Sequence, residues 1–250
     1  MTRQRRNLTQ VYREIGAGGF SQVDGSVEFY TRLNALLRPD MTVLDYGAGR
    51  GSQMEDPGSP FRAALVTLRG KVGRIVGVDV DDAVLQNPHL DEAKVVGLRA
   101  ALPFPDGTFD MIFADWVLEH VDTPELFAQE VTRLLRPGGW FCARTPNRWG
   151  MTGIATNLVP NRLHAALLRK LQPGRQERDV FPTAYRLNTR AQIGRHFPAR
   201  LWEDYSYHHN PEPAYLQGSR IALTAARVYL AVTPRALGTN LHVFLRRRDS

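Results

Sequence analysis

The chain has 250 residues, 43% of them hydrophobic and 9% aromatic, enough apolar material for one full-sized core. It carries one cysteine, Cys142, so an intrachain disulfide or a cysteine-based metal cluster is excluded. The formal charge of +7 is unevenly spread: 13 basic face 19 acidic residues up to Thr132, and 19 face 6 from Arg133 onward. The second half is therefore where an anionic partner would be met.

In chain order, Met1–Asn7 is basic with no apolar run behind it, which argues against a secretory signal and reads as a solvated tail. Gly16–Gln22 is glycine-rich, either a segment able to close over a ligand or a disordered lead-in. Val27, Tyr30, Leu33, Leu36 and Leu37 recur at helical spacing, so a helix over 26–37 is expected, stopped by Pro39-Asp40. A buried strand over Met41–Leu44 follows. It runs through Asp45 into Gly47, Gly49 and Gly51, where missing side chains let the backbone approach a ligand and expose its N–H groups at a sheet edge. The dinucleotide fingerprint would need its third glycine at position 52, which is Ser52.

A short helix at 61–69 leads to a second strand over 74–80 that ends at Asp79. Asp79 could accept from both ribose hydroxyls of a nucleoside, with Val80 against its base, or it could cap a helix over 81–86. Third and fourth strands are expected at 93–98 and 109–114. Thr123 reads as the cap, and Pro124 as the first residue, of a helix that ends at Arg136-Pro-Gly-Gly139; a fifth strand over 140–143 follows. Alternating strands and helices imply an α/β fold with a parallel sheet covered on both faces. Beyond Asn147 the expected elements are a helix at 189–196 capped by Asn188, strands at 201–207 and 241–245, and a helix at 219–231.

Four stretches together carry a family resemblance: Asp45-Tyr-Gly-Ala-Gly-Arg-Gly51, Asp79 at a strand end, Leu102-Pro-Phe-Pro-Asp-Gly-Thr-Phe-Asp110, and Leu118-Glu-His-Val121. Over about 36–147 the chain resembles the class I S-adenosylmethionine-dependent methyltransferases, in particular the type 11 and quinone-biosynthesis small-molecule enzymes. The resemblance implies a Rossmann-like, doubly wound sheet of seven strands, mostly parallel with an antiparallel last strand. It implies S-adenosyl-L-methionine as cofactor, held by Asp45, Gly47, Ala48, Gly49, Gly51, Asp79, Val80, Ala101, Leu102 and Asp115. The acidic residue often found four places before the Leu-Pro is absent, Leu98 standing there, so adenine would rest on the backbone near Ala101 and Leu102.

The whole of 1–250 is expected to be one methyltransferase domain, with 1–25 as lead-in and 148–187 and 210–240 as cap insertions that shape an acceptor pocket. The expected activity is methyl transfer to a small molecule, lipid- or glycan-linked, anionic or lipophilic. The alternatives are an RNA or protein methyltransferase, for which no RNA-binding signature is found, and a non-catalytic scaffold. His120 is the candidate general base, though a structural role is equally open; His164, His208 and His209 are further candidates, and Tyr185 and Tyr207 could line the pocket. No metal is expected, because no ligands at metal-site spacing accompany His208-His209. The leucine stripe Ile154–Leu171, flanked by Arg162, Arg169 and Lys170, is either a core-packed cap or a lid resting on an acceptor or an acidic membrane surface. With no apolar run long enough to span a bilayer, a cytoplasmic protein is expected.

Overall fold

The computed structural model describes residues 3–51, 59–151, 182–213 and 216–249. The Ile154–Leu171 stripe and His164 lie outside them. Five parallel strands form the first part of one sheet: β1 (Thr42–Tyr46), β2 (Arg74–Asp79), β3 (Glu92–Val95), β4 (Phe109–Asp115) and β5 (Leu135–Pro146). Three antiparallel strands complete it: β6 (Trp202–Asp204), β7 (Tyr207–His209) and β8 (Asn240–Arg247). The order is β3-β2-β1-β4-β5-β8-β6, with β7 also on β8. The sheet thus reverses direction of winding between β1 and β4, and a crevice opens there at the carboxyl ends of the strands.

The helices are α1 (Arg3–Val11), α2 (Gly25–Ala35), α3 (Pro60–Val66), α4 (Pro124–Leu134), α5 (Arg190–His196) and α6 (Arg220–Val232). Successive β4 residues show why both sheet faces are covered. Met111 and Phe113 join Phe29, Leu33 and Val66 under α2 and α3, whereas Ile112 and Ala114 join Phe127, Val131 and Ile193 under α4 and α5. A strand buried on both faces reads as a continuous apolar run, which β4 does over Met111–Ala114.

Several expectations change. The strand expected at 201–207 is two short pieces, β6 and β7, which pair with β8 in one continuous register (Trp202 with Arg247, His209 with Asn240). Tyr205 and Ser206 interrupt the sequence, and the backbone N–H of Phe244 opposite is satisfied by the Ser206 hydroxyl at 3.2 Å. That break makes eight strands of the expected seven. β5 begins at Leu135 rather than Trp140, because Gly138 at φ +73° lets Arg136-Pro-Gly-Gly139 turn into the strand instead of ending the helix in a separate loop. Asn188 does not cap α5; the Thr189 hydroxyl accepts from the Gln192 N–H. Thr123 sits at the α4 cap position, but its hydroxyl donates to Asp122 and leaves the helix uncapped by a side chain.

The N-terminal segment is not a loose tail. Leu8 and Val11 of α1 pack with Tyr12, Ile15 and, from α6, Leu223, a third apolar cluster. The glycine-rich stretch is tied down as well: Ser59 Oγ donates to the Gly18 carbonyl at 2.9 Å, and Phe20 stacks on Phe61 at 5.2 Å. Among the described residues no helix is long and apolar enough to cross a membrane.

Candidate active site

The loop after β1 takes its shape from its glycines. Gly47, Gly49 and Gly51 all have positive φ, at +79°, +50° and +78°. Only glycine adopts this region at no steric cost. The three differ in what surrounds them. A Cβ on Gly47 would collide with the Val117 side chain, and one on Gly51 would lie 2.5 Å from Asn87 Oδ1, whereas Gly49 faces open space. Asn87, buried behind the loop, donates to the Ala48 and Gly49 carbonyls at 3.2 Å each. Sequence reasoning missed this clamp, although an asparagine before Pro88 was a visible turn signal.

The expected row of exposed N–H groups is not found. Gly47 and Ala48 both donate to the Val78 carbonyl, at 2.8 and 3.1 Å, and Gly49 donates to Asp79 Oδ2 at 2.8 Å. The first turn of the loop is therefore spent on β2. A dinucleotide site needs such donors for its pyrophosphate, and this loop has none of these three to give.

The field around the loop points the same way. Asp45, at the end of β1, is 5% exposed, and no hydrogen bond to its carboxylate is found among the described residues. Burial, and then the charges of Asp115 and Asp79, push its pKa well above the ordinary carboxylate range. Asp79 also accepts from the Asp81 N–H at 2.9 Å, and Asp81 itself caps the following 3-10 turn (Asp82–Gln86) by accepting from Ala83. The cap role weighed for Asp79 thus falls to Asp81. Carboxylates around a glycine loop, even with Asp115 tied to an arginine, favour a cation over a phosphate.

Asp115 is held from the other side. Arg144 of β5 grips it with two bonds of 2.7 Å, and the Tyr30 hydroxyl donates to it at 3.1 Å. Arg144 is buried, lies over the Trp116 ring at 5.0 Å, and donates to Ser26 Oγ. Trp116 follows Asp115 at φ +62°, a conformation that costs a non-glycine residue on the order of 1–3 kcal/mol; its N–H donates to the Arg144 carbonyl at 2.9 Å. Arg144 and Tyr30 carried no motif and were not singled out.

Val80 is exposed at the end of β2, and Ala101 is exposed beyond β3. Leu102 is different: its side chain is buried, its N–H donates to Glu130 Oε1 at 2.7 Å, and its carbonyl accepts from Arg133. Both backbone groups of Leu102 are therefore committed. His120 ends the 3-10 turn Leu118–His120, with Nδ1 3.0 Å from the Pro182 carbonyl. A carbonyl only accepts, so Nδ1 carries the proton in this bond. Tyr207 lies elsewhere, donating to Glu28 and accepting from Arg32, and Tyr185 is buried with its N–H on the Glu119 carbonyl. His208 and His209 are consecutive in β7 and so point to opposite faces; the His209 ring meets the Val23 carbonyl. No group of three or more metal-binding side chains occurs among the described residues.

A family model described as a methyltransferase domain matches residues 44–143, from β1 into β5. Over these 100 residues the chain is similar to methyltransferase domains. A Mycolicibacterium smegmatis protein described as an S-adenosylmethionine-dependent methyltransferase is 37% identical over 52% of this chain and 49% of its own length. The ubiquinone/menaquinone biosynthesis C-methyltransferase of an Enterobacter species is 34% identical over 41% of each chain. The match thus spans about half or less of these curated relatives. In fold, the methyltransferase solved with the Haloferax volcanii Trm112 activator is similar over 100% of this chain and 99% of its own, at a TM-score of 0.54 and 16% identity.

The cofactor of such a domain is S-adenosyl-L-methionine, and the cradle fits it. Around the loop lie the buried carboxyl of Asp45, the open space above Gly49 and the exposed Val80, which would suit a cationic methionine moiety and an apolar ring. The glycines separate folding from binding. Gly49→Ala is expected to cost about 1–2 kcal/mol of stability through its φ alone, while weakening S-adenosylhomocysteine about ten-fold or more by filling the space where a ligand must lie. Gly47→Ala adds the Val117 collision to the same strain, so its melting midpoint should fall further. Thermal melts beside calorimetry on both variants check this.

Proposed function

We propose that this chain transfers a methyl group from S-adenosylmethionine to a small, lipophilic acceptor of the lipid-linked kind. The observation that carries the reading is the buried carboxylate of Asp45 beside a loop whose first three N–H groups are already satisfied. That combination suits a nucleoside with a cationic tail and no phosphate. The quinone-pathway name of the Enterobacter relative supports a lipophilic acceptor.

Bound in this cradle, the sulfonium cofactor would supply a methyl carbon already activated for in-line displacement. The chain's part is then alignment and exclusion of water, and alignment alone is worth roughly 7–11 kcal/mol of barrier. Asp79 accepts from the ribose hydroxyls, Val80 and the backbone at Ala101 lie against the adenine, and Asp45 faces the charged end. Asp115, fixed by Arg144, shapes the wall beside Trp116. His120, which follows β4, is the side chain we assign to take the proton that the acceptor gives up as its new bond to carbon forms and the bond from that carbon to sulfur breaks.

Asp79→Ala removes the carboxylate that orders both the loop and the ribose. It should weaken S-adenosylhomocysteine by about 1–3 kcal/mol, roughly 5- to 150-fold. Isothermal calorimetry reads this directly, and binding of NADH in place of S-adenosylhomocysteine would defeat the cofactor assignment. The acceptor is found by incubating pooled metabolites and lipid extracts with methyl-labelled cofactor and identifying the labelled product. Labelled RNA or protein, with lipids unlabelled, would move the chain to the macromolecular class.

A further inference from the structure

A helix on the surface of a soluble fold is usually apolar along one stripe only. α6 is apolar along two. Leu223, Ala226 and Leu230 point inward and are buried. On the opposite side Ile221, Ala225, Val228 and Val232 recur at intervals of four, three and four residues, and Ile221, Val228 and Val232 are 84%, 61% and 75% exposed. Tyr229 and Leu237 widen the same apolar surface.

Arginines flank this stripe. On the side towards α1, Arg220 reaches Gln10, and Arg227 donates to the Val11 carbonyl at 2.7 Å while lying over the Tyr12 ring. α1 adds Arg3, Arg5 and Arg6, and Arg13 and Arg235 follow the two helices. Residues 3–13 and 216–237 together hold seven arginines and not one aspartate or glutamate.

We propose that the α6–α1 face docks on an anionic lipid bilayer. Charge decides among occupants. A second copy set against this face by two-fold symmetry would bring two such arginine sets together, with Glu14, next to Arg13, as the one exposed carboxylate adjoining each set. Single-stranded nucleic acid would want aromatic platforms, and this stripe is aliphatic apart from Tyr229. Acidic headgroups are drawn to the net positive charge of this face, and the aliphatic stripe enters the acyl boundary to a depth of about 5–10 Å. This inference does not depend on the identity of the methyl acceptor.

Flotation of the full chain with phosphatidylcholine vesicles, with and without phosphatidylglycerol, tests it. The chain should float only with the acidic vesicles. The triple change Ile221→Ser, Val228→Ser, Val232→Ser should lower the partition about ten-fold or more, and Arg3→Gln, Arg5→Gln, Arg6→Gln should do so more strongly at low salt than at high. Both variants should keep the parent's melting midpoint and its calorimetric affinity for S-adenosylhomocysteine, since every altered side chain is exposed. In the otherwise native chain, Tyr229→Trp should shift its fluorescence to the blue on acidic vesicles alone. No flotation with phosphatidylglycerol, equal flotation of the serine variant, or an unshifted tryptophan would each overturn the proposal. So would a dimer in sedimentation equilibrium that the three serines dissolve, because a second copy would then be what covers the stripe.

Discussion

Arg144→Met is expected to be the most damaging single change among the buried polar groups, lowering stability by about 3–5 kcal/mol. Against a total of roughly 5–15 kcal/mol for a domain, that is a large share. The reason is the group left behind. Arg144 and Asp115 are both nearly inaccessible and share two bonds of 2.7 Å, so without the guanidinium a buried carboxylate keeps only the Tyr30 hydroxyl. At about 2–4 °C per kcal/mol for a chain of this size, the melting midpoint should drop by roughly 6–20 °C. The deficit should shrink as pH falls, because in the variant an unpaired buried carboxylate relieves itself by taking a proton. Adding Asp115→Asn should recover a good part of the loss at neutral pH. If the double variant is no better than Arg144→Met, the guanidinium acts by packing on Phe29, Tyr30 and Trp116 instead of by charge.

The parts of this molecule that the sequence made legible are those encoded locally. Glycines at 47, 49 and 51 demand a backbone that only glycine takes freely, and short apolar runs such as Met111–Ala114, bounded by aspartates, read as strands buried on two faces. Boundaries set by a partner strand were not legible. Leu135–Gly139 looks like a helix stop, yet it joins β5 because Phe109 of β4 offers a ladder to Leu135. The break between β6 and β7 rests on Ser206 Oγ, which no periodicity reveals. The site divides in the same way. Asp45 and Asp79 stand beside the motif in the chain, but Asn87, Tyr30 and Arg144 reach it from 36 or more residues away, or across the sheet from α2 and β5. Their roles exist only once the strands have paired. The N-terminal arginines are solvated as composition suggests, but they sit on a helix, because Leu8 and Val11 pack with Tyr12, Ile15 and Leu223 of α6, which composition does not reveal.

Asp45→Asn should make the protein more stable and less able to bind its cofactor. In the free chain the Asp45 carboxyl is buried, accepts no hydrogen bond among the described residues and faces the charges of Asp115 and Asp79. It therefore holds its proton to a higher pH in the folded than in the unfolded state. Between the unfolded pKa, about 3.9, and the raised folded one, the native state binds more protons, so stability declines as pH rises through that window. Above the window the full penalty of a buried anion remains, and the neutral amide removes it. The variant's advantage should accordingly be largest at neutral and alkaline pH and vanish as pH falls towards 4. Each kcal/mol relieved raises the midpoint by about 2–4 °C. Binding runs in the opposite sense. The same charge is what a cationic methionine moiety meets, and its loss should weaken S-adenosylmethionine by roughly 10- to 150-fold, the worth of about 1.5–3 kcal/mol for a hydrogen bond to a charged group. The parent should mimic its own variant at low pH, losing affinity as Asp45 takes up its proton. Melting curves and calorimetry across pH, on both chains, separate the two effects. A variant that melts lower and binds as before would make Asp45 a structural acceptor, and the cradle would have to find its negative charge in Asp79 and Asp115 alone.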